Sequence, residues 1–467
     1  MALNAVDIKE TKDILVDALR VGSKTFKKRY NVQYAYMAGA MANGIASENM
    51  VSALGKAGIL SSFGAAGLIP SRLEHAIKSI QSALPNGPYA FNLIHSPTEE
   101  ALEKNGVELY LKYGIRVVEA SAYMNVTPYI VQYKAAGLRE ENGNIIVENR
   151  VIAKVSRIEV ATKFMSPAPV AVLEQLVAEG KITKEQAVLA QRVPLADDIT
   201  VEADSGGHTD NRPLNCVLPA IITLRDRLAK QYNYKEHIHI GAAGGIGTPM
   251  SAFGAFALGA DYVVTGSVNQ ACIESGSSDK VRKMLAQAEM TDIAMAPAAD
   301  MFEMGVKLQV LKRGTMFTNR AQKLYEVYKA YASIEQIPVE EREKLEKQIF
   351  RRTLNEVWVD TIAFFKERDQ ELLEMAHKDP KLKMSLIFRW YLGLSSRWAN
   401  SGEAGRELDY QIWCGPAMGA FNDWARNTPF EKLENRKVVD VAMAIMQGAA
   451  AIQRKFLLDN LLYLNNQ

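Results

Sequence analysis

Histidine and cysteine are both scarce in this chain, six and three residues of 467. Cys216, Cys272 and Cys414 lie far apart and form no Cys-x-x-Cys pair. That excludes a disulfide framework and a cysteine-rich zinc site, and it points to a reducing compartment. No apolar run reaches the roughly 20 residues that a membrane helix needs, so no membrane role is expected. Residues Met1–Arg20 mix acids and bases, unlike a signal or transit peptide, and a cytoplasmic protein is the simplest expectation. A dominant charge sign is also missing. Lys and Arg number 55 against 53 Asp and Glu, a net charge of +2, which argues against a dedicated nucleic-acid binder. No Walker A sequence occurs, and the main glycine turn does not follow the GxGxxG dinucleotide spacing.

What is present is a strand that ends in small residues. Ile238-His239-Ile240 runs into Gly241-Ala242-Ala243-Gly244-Gly245-Ile246-Gly247 and then, through Thr248-Pro249, into a helical pattern from Met250 to Leu258. Backbone amides at such a turn, with a helix dipole behind them, favour a bound phosphate. A second strand, Tyr262–Thr265, follows at once and ends in Gly266-Ser267. Two successive strand ends of this kind suggest the last two loops of a (β/α)8 barrel, a common phosphate site. The same glycines would also serve plain close packing of helix on sheet.

The first 270 residues carry eight candidate strands: Tyr34–Met37, Ile59–Ser62, Tyr89–Leu93, Val117–Ser121, Val151–Val155, Ile199–Glu202, His237–Ile240 and Tyr262–Thr265. Helix-length segments separate most of them, among them Glu48–Ala57, Pro70–Leu84, Pro97–Tyr113 and Lys184–Arg192. Strictly alternating β and α elements predict an α/β fold with a parallel sheet, closed as a TIM barrel, with an open doubly wound sheet as the alternative. After about Met290 the composition changes. Arg320–Ala332, Val339–Lys366, Lys381–Trp398 and Val438–Leu464 show helical spacing with few glycines. The expected organisation is therefore a barrel over 1–290, an additional α-helical C-terminal subdomain over 291–435, and a final helix over 436–467 packing on the barrel.

Barrel enzymes place chemistry at the C-terminal ends of their strands. Ala38-Gly39-Ala40-Met41 after the first strand and Phe63-Gly64-Ala65-Ala66-Gly67 after the second would let a flat ligand lie on the backbone. Asn92 after the third strand can donate to and accept from a heteroaromatic ring. Lys154 after the fifth could set a cation near an anionic one. After the sixth strand comes Glu202-Ala203-Asp204-Ser205-Gly206-Gly207-His208-Thr209-Asp210-Asn211-Arg212-Pro213. His208 follows a Gly-Gly turn and suits proton transfer near neutral pH, with Asp204, Asp210 or Arg212 able to orient it or clamp an anion. Ser205 does not sit in a G-x-S-x-G elbow. Glu202, Asp204 and His208 make a weak metal set, so no metal is expected. A phosphate cradle on strands seven and eight beside a flat slot over strands one to three is the shape of a flavin mononucleotide site.

The stretches Asp204–Pro213, Gly241–Gly247 and Gly259–Ser267 resemble those of the PfaD family, the trans-acting enoyl reductases of polyunsaturated fatty acid synthases and of polyketide synthases without built-in acyltransferases. Phe388-Arg389-Trp390-Tyr391-Leu392-Gly393-Leu394-Ser395-Ser396-Arg397-Trp398 and Asp409–Asn422 extend the resemblance over nearly the whole chain. The barrel motifs are shared with the wider nitronate monooxygenase superfamily. The resemblance implies an FMN-dependent enoyl-[acyl-carrier-protein] reductase that uses NADPH as hydride donor and acts on enoyl thioesters on an acyl carrier protein of a synthase. It matches Gly244, Gly245, Gly266 and Ser267 to the flavin-phosphate loops, and Ala38, Gly39 and Met41 to backbone contacts of the ring. Asn92, Lys154 and Glu202 match polar flavin contacts, the Gly206-Gly207 turn belongs to the cofactor set, and His208 matches the active-site histidine. No acyltransferase domain is expected within the chain.

The aromatic stripe Phe388, Trp390, Tyr391, Trp398 and Trp413 reads first as core, with a cap over the barrel and an acyl tunnel as the functional alternative. Lys381, Lys383, Arg389 and Arg397 are the basic candidates for an acidic carrier. The rival functions are a nitronate monooxygenase-like FMN oxidase, a non-catalytic synthase-associated barrel and, more weakly, a phosphate-binding isomerase. Oligomeric state stays open, a homodimer being one reading, as does the choice between polyketide and fatty acid pathways.

Overall fold

The computed structural model describes residues 18–95, 100–366 and 369–465. Most of Met1–Arg20 and the expected helix start at Pro97 lie outside the described residues. The chain divides into two compact units. One holds the residues up to Ser205, Thr209–Gly276 and those from Pro416 on, and the other holds Gly206–His208 and Ser277–Gly415.

In the first unit eight short parallel strands close into a barrel: β1 (Tyr36–Ala38), β2 (Leu60–Phe63), β3 (Ala90–Ile94), β4 (Val117–Ser121), β5 (Arg150–Val155), β6 (Asp198–Glu202), β7 (His239–Ala243) and β8 (Tyr262–Thr265). Each pairs with its neighbours in sequence and β1 pairs with β8, with Met37 opposite Val264, which removes both sheet edges. The closed barrel rules out the open doubly wound alternative. The strands follow the β-branched and aromatic runs because such residues fill a pleated interior that is buried on both faces.

β7 runs on to Ala243 and so takes in three residues expected in the turn. Gly241, Ala242 and Ala243 pair with Tyr262, Val263 and Val264 of β8. Gly241 is a packing glycine, because a Cβ there would lie 2.3 Å from the Tyr262 ring. That ring stacks on Phe26 at 4.1 Å and 11°.

A charged network ties the N-terminal ends of the strands. Buried Asp198 accepts from Arg29 at 2.6 Å and from the His239 amide at 2.9 Å, with the His239 ring Nδ1 at 2.6 Å and Tyr30 also on it. Asp197 beside it accepts from Lys134 at 2.7 Å and from Arg150 at 3.1 Å. Charges at this face read as stability rather than chemistry. The final helix, Val438–Asn465, lies against Pro249–Ala257, and Gly448 permits the approach, since a Cβ there would stand 2.6 Å from Pro249.

Two features were not anticipated. A hairpin, Leu138–Glu141 with Asn144–Val147, interrupts the β4–β5 connection, and Asn142 and Gly143 at its turn both have positive φ. That Asn-Gly pair is a strong hairpin signal. In the second unit Ile293–Pro297, Lys307–Leu311 and Gly207–His208 form a small antiparallel sheet.

The second unit is otherwise helical: Phe317–Ala330, Val339–Leu345, Leu354–Lys366, Gln370–Lys378 and Pro380–Ser401. The expected continuous helix 339–366 is broken by a π turn, Glu346–Phe350, and by Arg351 in the left-handed region at φ 59°. Arg406 satisfies the carbonyls freed there, donating to Ile349 at 3.0 Å and Phe350 at 2.8 Å. Phe388 and Tyr391 are fully buried with Phe302, Phe317 and Phe350, and Trp390, Trp398 and Trp413 pack on that cluster, so the aromatic stripe is core.

Candidate active site

The expected residues of the first unit converge on one end of the barrel. Ala38 ends β1 and Gly39 and Met41 follow it. Asn92 lies within β3, Lys154 is the penultimate residue of β5, and Glu202 ends β6. Gly244 and Gly245 follow β7, while Gly266 and Ser267 follow β8.

The loops after β1 and β2 are locked together by close backbone approach. Asn43 N–H donates to Ala66 O, Gly44 N–H to Gly64 O, and Gly64 N–H to Ala46 O, all within 3.0 Å. A Cβ on Gly64 would lie 1.7 Å from the Met41 carbonyl oxygen, which only glycine avoids. The Gly39 N–H donates to Thr265 O at 2.9 Å and joins the β1 loop to the end of β8.

The turn after β7 has two kinds of amide. Gly247 and Thr248 donate to Ser251 Oγ at 3.1 and 3.0 Å, within the cap of Pro249–Ala257. The amides of Gly244, Gly245, Ile246 and Gly266 donate to no protein acceptor among the described residues. Gly244 and Gly245 have φ of 85° and 72°, conformations that glycine adopts freely. A Cβ on Gly245 or Gly266 would meet nothing within 4 Å. Four amides without acceptors, beside open space, on adjacent strand ends fit a phosphate. The locked, small-residue loops on β1 and β2 fit a flat ring. The residues present therefore fit FMN.

Between these loops lies a polar group. Lys154 Nζ donates to Glu202 Oε1 at 3.2 Å, with 16% and 24% of the two side chains exposed. Burial works against the Lys154 charge, yet Glu202 and Glu119 outweigh it and raise its pKa above the ordinary value. Asn92 is turned away from ligand duty on its donor side, since its Nδ2 donates to Glu119 O at 3.0 Å and Ser121 Oγ at 2.8 Å. Glu119, within the apolar run of β4, was missed by sequence reasoning. A carboxylate among Val117, Val118 and Ala120 was the available signal.

His208 lies in the second unit. Gly207 and His208 pair with Gln309 and Leu308, and the His208 Nε2 is 3.1 Å from Asp300 Oδ1. Gly206 packs so closely on Cys414 and Gly415 that a Cβ would lie 2.9 Å from their backbone atoms. The carboxylates expected to orient His208 are engaged with other side chains. Asp210 binds Arg157 through both oxygens, at 2.9 and 2.8 Å, and Asp204 Oδ1 accepts from Asn211 at 2.8 Å. Asp300 was missed because no local pattern links it to His208. The basic candidates of this unit are engaged within it. Lys381 donates to Tyr331 O at 2.6 Å, Lys383 lies 3.8 Å from Glu335, Arg389 lies 3.3 Å from Glu303, and Arg397 lies over Phe364. Among the described residues no cluster suits a metal ion and no helix is long and apolar enough to cross a membrane.

Residues 24–350 match the sequence model of the nitronate monooxygenase family, and residues 331–410 match that of the inserted helical domain of [acyl-carrier-protein] S-malonyltransferase. The chain is 54% identical over 442 residues to a polyunsaturated fatty acid synthase component of Thraustochytrium sp., covering 93% of this chain and 30% of that protein. It is 45% identical over 449 residues to the polyketide biosynthesis protein PksE of Bacillus subtilis, covering 95% of this chain and 58% of that one. It thus spans less than two thirds of either relative. The solved enoyl reductase domain of MlnA, from the macrolactin cluster of Bacillus amyloliquefaciens, superposes with a TM-score of 0.90 at 41% identity, covering 94% of this chain and 99% of that one. A phosphate-fitting barrel end, a matched family over most of the chain and a near-complete structural counterpart agree: the chain belongs to the nitronate monooxygenase family, in its PfaD-like branch.

Proposed function

We propose that the protein is an FMN-dependent enoyl reductase that uses NADPH to reduce the 2,3-double bond of enoyl thioesters carried on the acyl carrier protein of a polyketide or polyunsaturated fatty acid synthase. The observation that carries this reading is the likeness to the MlnA enoyl reductase domain over nearly the full length of both chains. When bound, FMN supplies the hydride chemistry that links NADPH to the thioester. The Gly244–Ile246 and Gly266 amides hold its phosphate, with Ser267 beside them. The backbone of Ala38, Gly39 and Met41 supports the ring, with Asn92, Lys154 and Glu202 as polar neighbours. Lys154 places a positive charge where negative charge develops on reduction. His208, held by Asp300, supplies the proton for the α-carbon or steadies the thioester oxygen.

The test uses the purified protein under anaerobic conditions. A yellow protein that NADPH bleaches, and whose colour a carrier-bound enoyl thioester restores, supports the proposal. A second reading, a nitronate monooxygenase-like FMN oxidase, follows from the family match over residues 24–350. Flavin that a nitronate bleaches and oxygen restores, with no return of colour on adding the enoyl thioester, would favour it.

A further inference from the structure

Glu119 sits on β4 with no exposed surface, and the reaction above assigns it no part. Its Oε2 accepts the Ala40 N–H at 2.7 Å. Its Oε1 has no hydrogen-bond partner among the described residues, and a Cβ built on Gly39 would stand 3.4 Å from it. The carboxyl is therefore wedged beneath the Gly39–Ala40 peptide. A buried carboxyl with one oxygen unsatisfied is unfavourable, and an aliphatic side chain would fill the same space without that penalty. Its placement calls for a role other than packing.

That role follows from what it holds. Gly39 is fixed on one side by Thr265 O, and Ala40 is fixed on the other by Glu119. Between them they set the backbone on which the flat ligand is expected to rest. Building on the flavin reading, we propose that Glu119 is a positioning residue of the flavin site, clamping the Ala40 amide so that the 38–41 backbone presents one fixed surface to the ring. Burial pushes the Glu119 carboxyl above its ordinary value, against the pull of Lys154 and the Ala40 amide.

The experiment titrates the apoprotein with FMN and follows flavin fluorescence and the visible band. It compares the wild type with Glu119→Gln and Glu119→Ala. The amide oxygen of Glu119→Gln can still accept from Ala40, so this variant keeps its affinity within about threefold and its band unshifted, whereas Glu119→Ala loses about tenfold or more and shifts the band. Should Glu119→Ala not fold, Glu119→Met fills the space, removes the acceptor and carries the same comparison. Unchanged affinity and spectrum in the Ala or Met variant overturn the positioning role, and so does a Gln variant as weak as the Ala one. A wild type that binds no FMN overturns the flavin reading instead, and that result is distinct from either.

Discussion

Nε2 of His208 and Oδ1 of Asp300 lie 3.1 Å apart, although 92 positions of chain separate them. Burial disfavours the Asp300 charge, but the hydrogen bond and charge of His208 outweigh it and hold the carboxyl below its ordinary value. An ionised Asp300 fixes the ring and its tautomer, as an orienting carboxylate does beside an acid–base histidine. His208→Ala, with FMN still bound, should slow single-turnover reduction of an enoyl thioester by about 100-fold, and Asp300→Asn by about tenfold. An Asp300→Asn variant with unchanged rate would remove the orienting role while leaving that of His208 standing.

The two adjacent turn glycines should fail differently. A Cβ on Gly244 would lie 2.6 Å from the Ala203 backbone at a φ of 85°, so Gly244→Ala should cost roughly 2–4 kcal/mol in urea unfolding. Gly245→Ala meets no neighbour and carries only the left-handed penalty, about 1–2 kcal/mol. Its methyl group nonetheless enters the space beside the free amides. FMN affinity should therefore fall in Gly245→Ala out of proportion to its stability.

Asp198 makes the opposite case, with stability at stake and no cofactor contact. Asp198→Asn removes the buried carboxylate that Arg29 meets at 2.6 Å, leaving that guanidinium only the exposed Glu236 as an ion-pair partner, and should cost about 3 kcal/mol or more. Urea midpoints should drop while FMN affinity in the folded protein stays at the wild-type value.

The Asp210–Arg157 clamp predicts a pH window. Arg157's hydrogen bonds, chiefly, hold the Asp210 carboxyl down to about 2, with Ser156 Oγ donating at 2.5 Å. Because the folded value lies below the unfolded one of about 3.9, the stabilisation is complete above about pH 4 and is lost as pH falls through about 2. Protection of the 203–213 amides, measured against their intrinsic exchange rates, should fall over that interval. In Asp210→Asn that protection should already be low at pH 5, with a much smaller change below.

The barrel was legible because its strands are short apolar runs separated by helical spacing, and the position of Gly244, Gly245 and Gly266 at strand ends because they directly follow such runs. Gly241 shows the limit of that rule. A glycine that clears a neighbouring aromatic ring looks in sequence like one that opens a phosphate turn. Glu119 and Asp300 were missed for different reasons. Glu119 was hidden within a strand that otherwise reads as core, whereas Asp300 acquires meaning only through antiparallel pairing between distant segments. The break at Arg351 was illegible because it depends on Arg406 reaching carbonyls that a continuous helix would have used.

The pairing of Gly207-His208 with Leu308-Gln309 bears on how such enzymes can be recombined. Three residues, Gly206–His208, are looped out of the barrel segment into the other unit, so the position of the imidazole depends on the register of a strand a hundred residues downstream. Grafting a relative's 277–415 onto this barrel would exchange two of that sheet's three strands and keep the third, Gly207-His208. A working chimaera has to carry both pieces together, and the natural boundary for exchange is discontinuous along the chain.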